Sequence, residues 1–282
     1  MHARSKKIVC VFKKSSVKVL RSSWAAALRI ILLLAALAVL CTCFLILSWV
    51  RPLWGQRFFP WMYRQLFLLA GLRLKEEGAH DPKASFFVSN HLSFFDILLL
   101  GSVVPASFLS KKEVAKWPFV GRVAKKTGTF FVTRKKQDLK KEIALLQKRI
   151  QDKLEGKGSG LILFLEGTSG DGVHLLTFKS SLLASLDRLN KDNLFIQPVS
   201  LVLDRLNGLK MSAFFKKMYS YRGDVSLFQS MWWILKMGVI DLRLVYHKSV
   251  AVSEFESRAD LAKALWCEVA KPLSEPLYRE AS

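Results

Sequence analysis

The first 74 residues contain no aspartate and no glutamate, yet they hold twelve of the chain's 44 lysines and arginines. So long a basic stretch without an acid is not the mixed-sign surface of an average soluble enzyme, and it asks for an anionic partner. Cysteine is scarce as well. Of Cys10, Cys41, Cys43 and Cys267, two fall inside an apolar run, which leaves neither a disulfide framework nor a zinc site to assemble and points to free thiols in a reducing compartment. Asn-x-Ser/Thr is absent, in keeping with a chain that is not glycosylated.

What is present is a 282-residue chain, half of it hydrophobic, with a formal charge of +22. That length suits one large domain with an appendage. Much of the excess charge, including Lys6, Lys7, Lys13, Lys14, Lys18 and Arg21, sits beside a hydrophobic segment. Such clusters are drawn to anionic lipid headgroups at roughly 1 kcal/mol per residue near the surface. No zinc-finger spacing or RNA-binding aromatic motif accompanies the charge, so anionic membrane lipids rather than nucleic acid are the expected partner.

Ile30 to Val50 form 21 consecutive uncharged residues between Arg29 and Arg51. At about 1.5 Å per residue such a helix spans a bilayer core of roughly 30 Å. The run is too long for a signal-peptide core, and Ala38-Val39-Leu40-Cys41 fails as a lipoprotein site at bulky Leu40. A single crossing after eight cations would keep the N-terminus cytoplasmic and export everything else. The apolar, aromatic-rich stretch from Phe58 to Leu74 offers a return, and Arg51, Arg57 and Arg64 oppose full crossing of the joining turn. The expected plan is a basic cytoplasmic segment (1–29), a deeply inserted membrane helix (30–50), an interfacial second helix (51–74) and a domain over 75–282. That domain would lie on the cytoplasmic face of a bacterial inner membrane.

Beyond Lys75 short apolar runs alternate with amphipathic stretches, which predicts an α/β domain. Expected strands are 84–88, 129–132, 160–165, 195–203 and 239–246. Expected helices are 94–103, 137–154, 178–189 and 257–269, the last three with apolar residues at three- and four-residue spacing.

Polar residues concentrate in Ser89-Asn90-His91-Leu92-Ser93-Phe94-Phe95-Asp96, after an apolar strand and before an apolar helix. Strand exits are where α/β sheets place their sites. Five residues along one helix would set His91 and Asp96 about 140° apart, so the imidazole must lie on a loop that turns back onto the carboxylate. A carboxylate on one ring nitrogen fixes the tautomer and leaves the other nitrogen to take a hydroxyl proton. The spacing alone equally fits a surface histidine with Asp96 as an ordinary helix-start residue.

Asn90-His91-x4-Asp96 resembles the first block of the glycerolipid acyltransferase family, which includes the 1-acylglycerol-3-phosphate acyltransferases. Gly128-Thr129-Phe130-Phe131-Val132-Thr133-Arg134 is similar to a second block, and Phe164-Leu165-Glu166-Gly167-Thr168-Ser169 to a third. A weaker fourth is Gln197-Pro198-Val199, and Tyr221-Arg222-Gly223-Asp224 is similar to a stretch of bacterial members. The resemblance implies an α/β acyl-transfer domain, a mixed sheet flanked by helices behind an N-terminal two-helix membrane-anchoring motif, in which His91 and Asp96 are catalytic. It implies that Asn90, Arg134, Glu166, Gly167, Thr168 and Lys179 bind substrate, Arg134 by pairing with an acceptor phosphate. Its donor would be acyl-coenzyme A or acyl-acyl carrier protein, with no metal and no cofactor. Its acceptor would be 1-acylglycerol-3-phosphate, giving phosphatidic acid in phospholipid biosynthesis.

Two departures qualify the acceptor. Leu165 stands in place of a proline, and Ser169 in place of an arginine frequent in phosphatidic-acid-forming members. Glu166-Gly167-Thr168-Ser169-Gly170-Asp171-Gly172, with Phe178-Lys179-Ser180-Ser181, is closer to the lyso-ornithine-lipid acyltransferase subgroup, which makes that lipid or another lysolipid the alternative acceptor. Lys179, Lys111 and Lys112 either supply positive charge or are ordinary surface lysines. A non-catalytic, basic membrane-binding protein is the rival of a different class. Gly156-Lys157-Gly158-Ser159-Gly160 precedes its strand and reads as a turn rather than a nucleotide loop. Gly167-Thr168-Ser169-Gly170-Asp171 misses the hydrolase elbow at its fifth residue. His2, His80, His174 and His247 lack ligand spacing. Trp232-Trp233 belongs to the core, a membrane-facing surface or an acyl-chain groove.

Overall fold

The computed structural model describes residues 23–50, 52–104, 106–117, 120–132, 139–156, 160–186, 189, 191–220 and 226–273. The apolar run becomes α1 (Ser23–Val50), which starts ahead of the uncharged stretch because Arg29 finds a use inside the helix. Its guanidinium donates to the carbonyls of Leu235 (3.2 Å) and Gly238 (2.9 Å). After one residue the chain returns as α2 (Pro52–Leu69). The two helices form a hairpin with Cys41, Phe44, Met62 and Leu66 buried between them and the rings of Phe44 and Phe59 5.8 Å apart.

The second helix was expected to continue to Leu74, but it stops at Leu69. Gly71 adopts φ +83°, a conformation that only glycine takes without strain, and a Cβ there would sit 2.4 Å from the Gly238 carbonyl oxygen. Leu72–Glu77 then form β1, an edge strand parallel to β8 (Ile240–Tyr246). The domain therefore begins at Leu72, and its first strand was hidden by the apolar character it shares with the helix before it.

The remaining strands are β2 (Ala84–Ser89), β3 (Ala106–Lys111), β4 (Phe130–Val132), β5 (Gly160–Leu163), β6 (Phe195–Leu206), β7 (Leu209–Lys210) and β9 (Val250–Ala251). The sheet order is β1-β8-β6-β2-β5-β3-β4, with β7 and β9 both antiparallel to β6. β6, β2, β5, β3 and β4 run parallel, while β8 is antiparallel to β6. The helices are α3 (Phe95–Val103), α4 (Val120–Lys126), α5 (Leu139–Leu154), α6 (Ala213–Tyr219), α7 (Leu227–Met237) and α8 (Arg258–Ala270).

Two-residue alternation sorts the central strands between two cores. Phe87, Ile162 and Leu201 face the core completed by α2, α3, α7 and the first turns of α1. Phe86, Val88, Leu161 and Leu163 face the core completed by α5, α8 and residues 180–186. The segment expected as a helix over 178–189 is instead a 3-10 helix (Ser180–Leu186), which suits its buried leucines Leu183 and Leu186 at a spacing of three.

Candidate active site

β2 ends at Ser89 and α3 begins at Phe95, so Asn90 to Phe94 form the turn at the strand's C-terminal end. Asn90 opens it, and its side-chain amide behaves like one more rung of the ladder. Nδ2 donates to the Leu201 carbonyl (2.9 Å) and Oδ1 accepts from the Leu201 N–H (2.8 Å). At 1 % exposure Asn90, expected as a substrate contact, clamps the turn to β6.

Asp96 closes the turn with no exposure at all. Its Oδ2 accepts from the N–H groups of Leu92 (2.6 Å) and Ser93 (2.9 Å) and lies 2.8 Å from His91 Nδ1. One oxygen both folds the turn and holds the imidazole, so the two readings of the spacing merge. Because a carboxylate only accepts, Nδ1 carries the hydrogen and the Nε2 lone pair is left available. The ring stacks on Phe164 (4.3 Å between centroids, 21° between planes), and 21 % of the side chain is exposed. Phe164 was not among the expected site residues. Its signal was its place as the first residue of the third block, at the exit of β5.

Glu166 is 2 % exposed and lines a small cleft with Asn90, Gly170 and His174. Oε1 accepts from the His91 N–H (2.7 Å) and Oε2 from the Leu176 N–H (3.0 Å). The Gly170 N–H donates to the His91 carbonyl (2.8 Å), so the third block and the glycine after it grip His91 at both backbone groups. Burial pushes the Glu166 carboxyl up to about 7, outweighing the two N–H bonds, which favour the ionised form.

Gly167 has φ +69°, and a Cβ there would meet Lys179 Nζ at 2.9 Å, so the exposed Lys179 lies over this glycine. Thr168 is exposed. Lys111 closes β3, with the exposed Lys112 just after it. Arg134 and the stretch Tyr221 to Asp224 lie outside the described residues. Gln197 of the fourth block is buried and bonds to the backbone of Ala79, Asp81 and His247.

A second histidine, His247, lies 2.7 Å from Ser200 Oγ and 3.8 Å from a Glu268 oxygen, the outline of a hydrolase triad. It is not one: Ser200 is fully buried and donates its hydrogen to the Val269 carbonyl (2.9 Å), so Nε2 of His247 is the donor.

Residues 74–202 match the family model described as Acyltransferase. A lyso-ornithine lipid O-acyltransferase of Brucella abortus is 31 % identical over 217 residues, which cover 75 % of this chain and 80 % of that protein. The chain belongs to the acyltransferase family. Another lyso-ornithine lipid O-acyltransferase, from Rhodobacter capsulatus, is 34 % identical over 224 residues, 78 % of this chain and 76 % of its own. The fold is shared with the crystal structure of the 1-acyl-sn-glycerophosphate acyltransferase of Thermotoga maritima (TM-score 0.64, 20 % identity, 91 % of this chain and all of that one). Within this acyltransferase the family match spans β1 to β6 and so contains all four blocks.

Proposed function

We propose that this acyltransferase esterifies the free hydroxyl of lyso-ornithine lipid. The observation that carries the acceptor is the similarity to lyso-ornithine lipid O-acyltransferases along three quarters of the chain. Ser169 points the same way, since it stands where a phosphate-pairing cation is frequent. Arg134 in the second block favours 1-acylglycerol-3-phosphate as a second reading.

In the proposed reaction His91 Nε2 removes the acceptor hydroxyl proton while Asp96 stabilises the imidazolium through Nδ1. The alkoxide oxygen attacks the thioester carbonyl and forms the new C–O bond. Collapse of the tetrahedral adduct breaks the C–S bond, and the imidazolium returns its proton to the departing thiolate of coenzyme A or acyl carrier protein. No residue of the chain becomes covalently attached to the acyl group.

The acceptor would be met at the bilayer. α1 is long and apolar enough to cross it, but one of its sides is occupied by the domain along its length. Ala26 packs in the core shared with α7, and Cys41 and Phe44 pack with α2 and Val123 of α4. The opposite side is a continuous apolar stripe of Trp24, Leu28, Ile31, Val39, Ile46 and Trp49. A helix flanked at both ends by the same domain suits burial along one leaflet, with α2 beside it.

The test is an acceptor panel in one detergent with both donor types. Turnover on lyso-ornithine lipid at least tenfold above that on 1-acylglycerol-3-phosphate is expected. The reverse order would replace the acceptor, and no transfer to any lysolipid would remove the activity.

A further inference from the structure

Outside α1 and α2, the exposed large apolar side chains among the described residues are Trp117, Leu145, Leu176, Leu209, Phe214 and Phe228. Three of them, Leu209, Phe214 (56 % exposed) and Phe228 (63 % exposed), lie in the single excursion between β6 and β8. That excursion also carries Lys210, Lys216, Lys217, Arg222 and Lys236, against the lone acid Asp224. Although Lys217 faces Asp171 at 3.8 Å, exposed aromatics among lysines match what the interface of an anionic bilayer accepts: rings among acyl chains and ammonium groups at headgroup level. Lys236 places its Nζ over the Trp232 ring, 5.9 Å from the ring centre.

The surface adjoins α1. Ile234, Leu235 and Met237 of α7 share a core with Ala26, and Arg29 caps the carbonyls at the end of α7. It also adjoins the site. Lys216 of α6 lines a cleft with Glu166, Gly170 and His174, and Tyr219, at the end of α6, is buried beside Ser93 and Asp96.

We propose that α6, α7 and the β7 turn before them form a second bilayer-contacting surface, with Phe214 and Phe228 seated among acyl chains and Lys210 and Lys236 at anionic headgroups. This surface sets the His91 turn, which α6 adjoins through Tyr219, beside the membrane that supplies the lysolipid. The helical hairpin supplies the anchor, and α6–α7 set the orientation of the domain upon it. The proposal rests on a membrane lipid being the acceptor, but its first test needs no turnover and so stands or falls separately.

That test places an environment-sensitive fluorophore at Phe228→Cys or Phe214→Cys in the full chain freed of its other cysteines, reconstituted in phosphatidylglycerol–phosphatidylethanolamine vesicles. Leu145→Cys on α5, across the sheet, is the control. Nitroxide lipids should quench the first two probes at least twofold and leave the third unchanged; equal quenching at all three sites overturns the proposal. A kinetic measurement on the intact cysteine background guards against misfolding of the cysteine-free chain. The double variant Phe214→Ser, Phe228→Ser should lose about tenfold of its activity toward acceptor embedded in vesicles. It should keep its activity toward a short-chain soluble acceptor and its melting temperature. If the loss follows the donor instead, appearing only with acyl-acyl carrier protein, the face is a protein dock and the lipid surface is refuted.

Discussion

Replacing Glu166 by glutamine separates positioning from binding. The carboxylate accepts two backbone N–H groups, from His91 at 2.7 Å and Leu176 at 3.0 Å, in a site with almost no solvent. An amide keeps one acceptor oxygen and turns an NH2 toward the other N–H, which orphans that donor in the interior. A buried orphan costs about 1–3 kcal/mol, and for a domain of this size that lowers the melting temperature by roughly 2–10 °C. Where the lost contact is the one to His91, the imidazole shifts. A displacement of about 1 Å at a reacting group costs on the order of a hundredfold in rate. The assay is steady-state acyl transfer with acceptor varied in mixed micelles, beside a thermal melt. The expected result is a fall in kcat of about 10–100-fold with the acceptor KM within twofold of the parent. A raised KM with kcat intact would mean that Glu166 touches the acceptor, and the bracing argument would be refuted.

Further outcomes follow from the same geometry. His91→Ala and Asp96→Asn should each lower kcat by about 10²–10⁴-fold, measured as thioester consumption, and normal turnover of the alanine variant would end the acid-base assignment. Asn90→Ala should orphan the Leu201 N–H and carbonyl and destabilise the fold by about 1–3 kcal/mol for each, seen as a lower denaturation midpoint. Burial raises Glu166 from 4.5 to about 7, so the folded state binds the extra proton in that window. Its contribution is full below about pH 4.5 and fades as pH rises through about 7. Melting temperature should therefore fall across this range in the parent and be flatter in Glu166→Gln.

The His91 turn was legible because its chemistry is local: histidine and aspartate five apart at a strand exit meet only if the chain turns between them. The strands over 84–88, 160–165 and 239–246 were legible because their apolar runs are short and bounded by polar turns. β1 was not, since Leu72 and Leu74 continue the apolar pattern of α2 and only the partner strand β8, far along the chain, makes them a strand. Asn90 and Glu166 carried family expectations of substrate contact. Their burial depends on Leu201 and Leu176, which no local pattern connects to them. α6 and α7 went unread because their apolar residues are divided between core and surface, as Ile234 and Phe228 are.

Arg29 and Ala26 bear on any attempt to obtain a soluble enzyme. The first turns of α1 are wall material of the catalytic domain: Ala26 sits in the same core as Leu201 and Leu244, and Arg29 closes the end of α7. Cutting the chain after Val50 would uncover Ile234, Leu235 and Met237 together with the bare carbonyls of Leu235 and Gly238. The severed domain would gain a greasy, hydrogen-bond-hungry scar where α1 had been, and would aggregate for reasons unrelated to its catalysis. A chain whose first helix doubles as masonry has to be kept nearly whole, and only the last turns of α1, beyond Phe44, are open to trimming or redesign.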